Sequence, residues 1–182
     1  MKKSNKHLNL FKIILVALLV ALNVILERIV PAYQVWNQNI SFGFIAVLFA
    51  AVFLGAPYAV VTAGLGDFIG SLLFPFGSYF VGFTITNCIY GLILGFFLYK
   101  NTSPMRCILA TLTNKVVCSL VLNTLWISLM YRGGIDAFFL VLPTRLIQTA
   151  ISAALEITVL LIVFSNKSKI RITLNKSMQK IL

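Results

Sequence analysis

Apolar residues run along this chain in six long stretches, separated by short breaks that hold polar residues, proline or glycine. Repeated apolar runs of this kind are what a bilayer with a hydrocarbon core of about 30 Å requires of helices that cross it. We therefore predict an all-α integral membrane protein, a single six-transmembrane-helix bundle over residues 1–182. The helices are expected at about 10–30, 40–54, 58–74, 79–99, 104–131 and 138–165.

Composition supports a membrane protein. The chain is 60% hydrophobic and only 10% charged, whereas soluble domains carry roughly 25% charged residues. Its 182 residues leave no room for a nucleotide-binding domain beside the bundle. Any ATP-driven work would therefore need partner subunits.

The net charge of +11 is concentrated at the two ends of the chain. Cytoplasmic segments of membrane proteins carry an excess of Lys and Arg, so both termini are predicted to lie inside, with Lys100 and Arg106 on the same side. On the outer side, Glu27 and Arg28 cancel. This distribution is typical of membrane topology rather than of a nucleic-acid surface, and no nucleic-acid partner is expected.

Four charged residues fall within the predicted spans, namely Asp67, Lys115, Arg145 and Glu156. Each costs about 2.5–3.5 kcal/mol at the centre of a span, so each needs a partner or a wet cavity. Lys115 and Glu156 fall in the inner half of consecutive antiparallel helices. We predict that they form a structural ion pair, although desolvation offsets much of the attraction.

Asp67 and Arg145 fall in the outer half of the bundle, with Arg28 at the outer end of the first helix. They form either a closed salt-bridge network or the lining of an outward-facing pocket. Excess positive charge and aromatic side chains at the same depth favour a pocket for a planar, anionic ligand. An aromatic belt at the membrane interface is the alternative for several of these rings.

Catalysis is not expected. The single histidine, His7, lies in the basic N-terminal tail, so no Ser–His or metal–His centre forms inside the bundle. The three cysteines contain no C-x-x-C pair. We predict no metal site and no cofactor.

Ala17 and Ala21 share one face of the first helix, and small residues at this spacing allow close approach of another helix.

Several segments, in order along nearly the whole chain, resemble the folate-specific S components (the FolT family) of energy-coupling factor (ECF) vitamin transporters. Individually they are short, and their order and spacing carry the resemblance. They are Ala17-x-x-x-Ala21, Leu26-Glu-Arg28, Ile40-Ser-Phe-Gly-Phe44, Gly64-Leu-Gly-Asp67-Phe-Ile-Gly70, Phe74-Pro-Phe-Gly77, Tyr79-Phe-Val-Gly-Phe-Thr84, Asn123-Thr-Leu-Trp126 and Leu142-Pro-Thr-Arg145, with Glu156.

The resemblance implies a subunit that binds folate from outside and docks on a transmembrane coupling protein, the T component, driven by two cytosolic ATPases. Ala17 and Ala21 would contact that protein; packing within the chain's own bundle is the alternative. The expected substrate-binding residues are Arg28, Phe42, Asp67, Tyr79, Phe80, Phe83, Asn123, Trp126 and Arg145.

Chemistry suggests roles for these residues. Asp67 would accept hydrogen bonds from the pterin, while Arg28 and Arg145 would meet the carboxylates. Phe42, Phe80 and Trp126 would stack on the rings and Asn123 would make a polar contact. A direct Asp67–Arg145 salt bridge, a different vitamin, and a non-transporting membrane scaffold remain alternatives.

Overall fold

The computed structural model describes residues 2–29, 33–35, 38–40, 42–75, 78–100, 102–130 and 134–165. The basic C-terminal tail and Gly77 of the expected loop lie outside these residues. The elements, in chain order, are α1 (Lys2–Val24) with a π-helical continuation Ile25–Ile29, β1 (Tyr33–Val35), β2 (Gln38–Ile40), α2 (Phe44–Phe49) with a π-helical continuation Ala50–Leu54, α3 (Ala56–Leu73), α4 (Val81–Leu98), α5 (Pro104–Asn114), a π-helical segment Lys115–Asn123, α6 (Thr124–Met130) and α7 (Gly134–Ser165).

Five helical stretches of the described chain are long and apolar enough to cross a membrane, which confirms the all-helical membrane fold. They are Leu10–Ile29, Ala56–Leu73, Val81–Leu98, Pro104–Met130 and Leu142–Ile162. The remaining helix, Phe44–Leu54, is shorter. At about 1.5 Å per residue it reaches roughly half of the hydrocarbon core.

The prediction of a helix over 40–54 is wrong at its start, because residues 38–40 form a strand. β2 pairs antiparallel with β1, with Tyr33 opposite Ile40 and Val35 opposite Gln38. This two-stranded hairpin lies between α1 and α2. We call the end of the bundle that carries it, together with Phe74 and Tyr79, the hairpin end.

Glycines allow α3 and α4 to pack closely. A Cβ added to Gly91 would lie 2.5 Å from the carbonyl oxygen of Ala59, and one added to Gly95 would overlap the backbone of Ala56. Only a residue without a side chain fits at either position. The buried core surrounds this contact and includes Leu48, Ala51, Ala63, Leu94, Leu98, Ala110 and Leu160.

Away from the hairpin end, the structure brings Lys115 and Glu156 together. Lys115 Nζ lies 2.8 Å from Glu156 Oε2, and the side chains are 15% and 4% exposed. Tyr90 donates its hydroxyl to the other carboxylate oxygen, Glu156 Oε1, at 2.5 Å. The ion pair and this hydrogen bond therefore join α4, the π-helical segment Lys115–Asn123 and α7.

The first helix packs on the bundle through one face only. Val16, Val20 and Val24 are buried, whereas Ala17 and Ala21 are exposed on another face. The two alanines therefore do not serve packing within the described part of the chain. Large apolar side chains, including that of Leu18, are exposed around them.

Candidate functional site

Asp67 is the centre of a polar network at the hairpin end. α3 carries it between α1 and α4, and its side chain is 6% exposed. Arg28 Nη2 lies 3.4 Å from Asp67 Oδ1, and Thr84 donates its hydroxyl to Asp67 Oδ2 at 2.6 Å. Both carboxylate oxygens thus have a protein donor.

Arg28 lies across α3 on Gly70. A Cβ added to Gly70 would be 3.2 Å from Arg28 Nε, so the small residue leaves room for the guanidinium. Besides Asp67, Arg28 donates to Ser71 Oγ at 3.0 Å and to the carbonyl oxygen of Phe74 at 3.4 Å. These acceptors hold Arg28 against the hairpin end of α3.

Tyr79 extends the network to the surface. Its hydroxyl lies 2.9 Å from Thr84 Oγ1. Because the single hydroxyl proton of Thr84 goes to Asp67, Tyr79 donates to Thr84 in this arrangement. The ring of Tyr79 packs edge-on against Phe68, with centroids 6.0 Å apart. A chain of two hydrogen bonds therefore leads from the Tyr79 hydroxyl through Thr84 to the buried carboxylate of Asp67.

Aromatic side chains gather beside this network, where α4 begins. The Phe80 ring centroid lies 5.6 Å from that of Trp126 and 6.1 Å from that of Phe83. Trp126 donates its indole N–H to Thr86 Oγ1 at 3.0 Å, and Thr86 donates to the carbonyl oxygen of Gly82 at 3.0 Å. The indole orientation is therefore fixed.

The three remaining predicted site residues make no such contact in the described part of the chain. Asn123 Oδ1 is buried without a hydrogen-bond partner there. Arg145 is partly buried on α7, and no described carboxylate lies within salt-bridge distance of it. Phe42 precedes α2 and is exposed. Asp67 thus pairs with Arg28 rather than with Arg145.

Sequence reasoning missed the hydroxyl groups of the network. Thr84, Ser71 and Thr86 each hold a predicted site residue in place. The sequence carries little signal for them, since Ser and Thr in membrane helices commonly bond to a carbonyl of their own helix. Thr62 does so here, donating to the carbonyl oxygen of Tyr58 at 2.8 Å.

Comparison with known proteins identifies the family. A family model described as "ECF transporter, substrate-specific component" matches residues 11–164. The chain belongs to this family. Membership confirms the predicted S component, and it confirms the prediction that the chain is a transport subunit of the cell membrane with several spans rather than an enzyme.

Two curated relatives of this S component are folate transporters named FolT. The protein from Clostridium novyi (strain NT) is 31% identical over 139 residues, which cover 76% of this chain and 78% of the relative. The protein from Leuconostoc mesenteroides subsp. mesenteroides is 28% identical over 158 residues, covering 85% and 84%.

A solved structure described as FolT bound with folic acid matches the S component at 36% identity. The TM-score is 0.72, and the match covers 81% of this chain and 87% of that one. The agreement extends over most of both chains, so it concerns the bundle as a whole.

Proposed function

We propose that this S component captures folate at the hairpin end and delivers it for import. The observation that carries the proposal is the similarity to FolT bound with folic acid, at 36% identity over 81% of the chain. At that identity and coverage, the resemblance involves sequence and backbone together. The polar and aromatic groups at the hairpin end support it further.

The charges at the hairpin end suit a ligand with two different ends. Folate has a pterin rich in N–H donors at one end and a glutamate with two carboxylates at the other. Asp67 supplies a fixed acceptor group between α1, α3 and α4. Each carboxylate oxygen has two lone pairs, so Asp67 retains acceptor capacity for a ligand donor after bonding Arg28 and Thr84.

Arg28 and Arg145 take different roles in this proposal. Arg28 already bonds Asp67, Ser71 and the Phe74 carbonyl, so it positions the acceptor group. Arg145, with no carboxylate within salt-bridge distance in the described residues, is available for the glutamate end. An arginine fork matches a carboxylate through two parallel hydrogen bonds.

The aromatic cluster and Asn123 complete the site. Phe80 and Trp126 offer ring faces for the flat parts of folate, and Phe42, Phe83 and Tyr79 are further candidates. Asn123 Oδ1 is a buried acceptor without a partner among the described residues, and such a group is costly unless it is paired. A ligand N–H would satisfy it.

Import requires further subunits. The proposal places both termini inside, in line with the basic tails, and the hairpin end outside. The exposed face of α1 around Ala17 and Ala21 is the proposed contact with the transmembrane coupling protein, which two cytosolic ATPases would drive.

Equilibrium binding to the purified chain tests the substrate. We expect submicromolar folate binding, and weaker binding by Asp67→Asn and by Arg145→Ala. Each substitution removes charge-assisted hydrogen bonds worth about 1.5–3 kcal/mol, which corresponds to roughly 10- to 100-fold in affinity. A Trp36→Phe background leaves Trp126 as the single tryptophan, so its fluorescence reports on the site.

Riboflavin, thiamine and biotin serve as control ligands. Tight binding of one of these without folate binding would retain the S component and change its substrate. Absence of binding to all four would contradict the proposed substrate class. Unchanged folate affinity in both variants would place the ligand elsewhere in the bundle.

A further inference from the structure

Glu27 is an acidic residue at the hairpin end that has no role in the substrate site proposed above. It lies in the π-helical segment Ile25–Ile29, directly before Arg28, and is partly buried. A Cβ added to Gly43 would lie 3.2 Å from Glu27 Oε2 and 3.1 Å from Glu27 Cβ. The carboxylate is therefore packed beside the backbone that enters α2.

Asn23, one turn earlier on the same face of α1, explains this close approach. Its side chain is buried and donates from Nδ2 to the carbonyl oxygen of Gly43 at 2.9 Å. It also rests on Gly66 of α3, where any Cβ would overlap Asn23 Oδ1. Since Gly66 precedes Asp67, the turn from Asn23 to Arg28 connects Gly43 with the polar network.

Among the described residues, the charges of this corner do not balance. Glu27 lies within electrostatic range of both Asp67 and Arg28, so one cation serves two carboxylates. Arg28 bonds Asp67. In the described residues, Glu27 has neither an ion pair nor a side-chain hydrogen bond. A partly buried carboxylate of this kind favours an incoming donor.

The two carboxylates also differ in what they offer a ligand. Both oxygens of Asp67 already accept from Arg28 and Thr84. Both oxygens of Glu27 are without such donors among the described residues. Two parallel N–H···O bonds to one carboxylate are the geometry of an arginine fork. The ring N–H and the adjacent amino group of a 2-amino-4-oxo pyrimidine edge present the same pair of donors.

We propose that Glu27 is a substrate-binding residue that pairs, through both carboxylate oxygens, with the N–H and amino group at the edge of the folate pterin. This inference rests on the proposed folate specificity. It assigns the N–H and amino edge of the pterin to the corner formed by α1, Gly43 and α3, while the remaining acceptor capacity of Asp67 stays available for another donor of the ligand. It also makes the amino group of the pterin a determinant of specificity.

The test compares folate with an analogue that lacks the pterin 2-amino group, in wild type and in Glu27→Gln. Wild type is expected to prefer folate. Glu27→Gln, nearly isosteric, presents an N–H₂ group to the ligand's own donors. We expect its folate affinity to fall at least about tenfold, with a smaller change for the analogue. The preference for folate should therefore shrink.

Glu156→Gln is the matched control, because it makes the same change at a buried carboxylate away from the hairpin end. It should preserve the ratio of the two affinities even where it lowers the melting temperature. Glu27→Asp keeps the charge and shortens the side chain, and it should also reduce the preference. It serves as the test if the Gln variant does not fold.

Two failures are distinguishable. If wild type binds folate tightly and the ratio is unchanged in Glu27→Gln, or in Glu27→Asp where that variant serves, Glu27 does not read the pterin edge and the folate proposal stands. If wild type does not bind folate, both the proposed function and this inference are overturned.

Discussion

Among single residues, the charged residues within the predicted spans were the most informative. Lys115 and Glu156 lie among apolar neighbours, and their similar depth on antiparallel helices was enough to predict the ion pair that the structure contains. The third member, Tyr90, could not be predicted in the same way. Tyrosine carries no charge that would require a partner in the membrane, and the group it reaches depends on the rotation of α4 about its axis.

Removing one half of the pair should destabilise the bundle. Lys115→Met leaves Glu156 buried with Tyr90 as its donor, and breaking a buried ion pair in this way costs about 3–5 kcal/mol. We expect a clearly lower melting temperature in detergent. The double variant Lys115→Met/Glu156→Met removes both charges and should recover much of the loss. Equal melting temperatures for wild type and Lys115→Met would show that the pair contributes little.

For the charged residues of the candidate site, the sequence indicated the residues but not their partners. Asp67, Arg28 and Arg145 stood out because charge is expensive in a membrane. Sequence left open which arginine pairs with Asp67, since the choice depends on the side-chain path of Arg28 across Gly70. Glu27 was treated only as a charge that cancels Arg28. Its packing against Gly43 depends on a contact distant in sequence.

At the scale of elements, the long helices were predicted well and the segment after α1 was not. Ile40 begins an apolar run that continues into α2, and short apolar runs do not distinguish strand from helix. The structure places Ile40 in β2 and starts α2 at Phe44. The π-helical segments, with their i→i+5 hydrogen bonds, were also absent from the prediction, which assigned each span as one helix without distinguishing helix types.

The contact between α3 and α4 gives a prediction at this scale. Gly95→Ala should destabilise the protein, because the new Cβ meets the backbone of Ala56, which has no rotamer to change. Overpacking of this kind typically costs about 1–3 kcal/mol. Thermal unfolding in detergent measures the effect.

Gly64→Ala on α3 is the matched control. Its new Cβ would meet Cys88 Sγ at 2.6 Å, and a cysteine side chain can rotate away. We expect a smaller loss, partly offset by the higher helix propensity of alanine, about 1 kcal/mol. If the two variants unfold at the same temperature, the α3–α4 contact is more compliant than its geometry indicates.

In the whole bundle, the proposed substrate site and the proposed coupling surface occupy separate parts. The polar and aromatic groups collect at the hairpin end, on α3, α4, α6 and the end of α1. The exposed alanines, Ala17 and Ala21, lie on α1 before Asn23, farther from the hairpin end. Sequence alone predicted both sets, but whether α1 turns its alanines inward or outward depends on which face packs on α3. The burial of Val16, Val20 and Val24 decides this.

This separation predicts that transport can be lost while binding is kept. Ala21→Trp places a bulky side chain on the exposed face of α1, which would prevent close approach of a helix of the coupling protein. Folate affinity of the purified chain should stay within about twofold of wild type. Folate uptake by cells with the complete transporter should fall at least about tenfold, a loss of some 1.4 kcal/mol in coupling.

Ala154→Trp, the same change at an exposed position of α7, should leave uptake near the wild-type rate. Normal uptake by Ala21→Trp would exclude this face of α1 as the coupling surface, whereas loss of binding together with uptake would mean that the face supports the site itself.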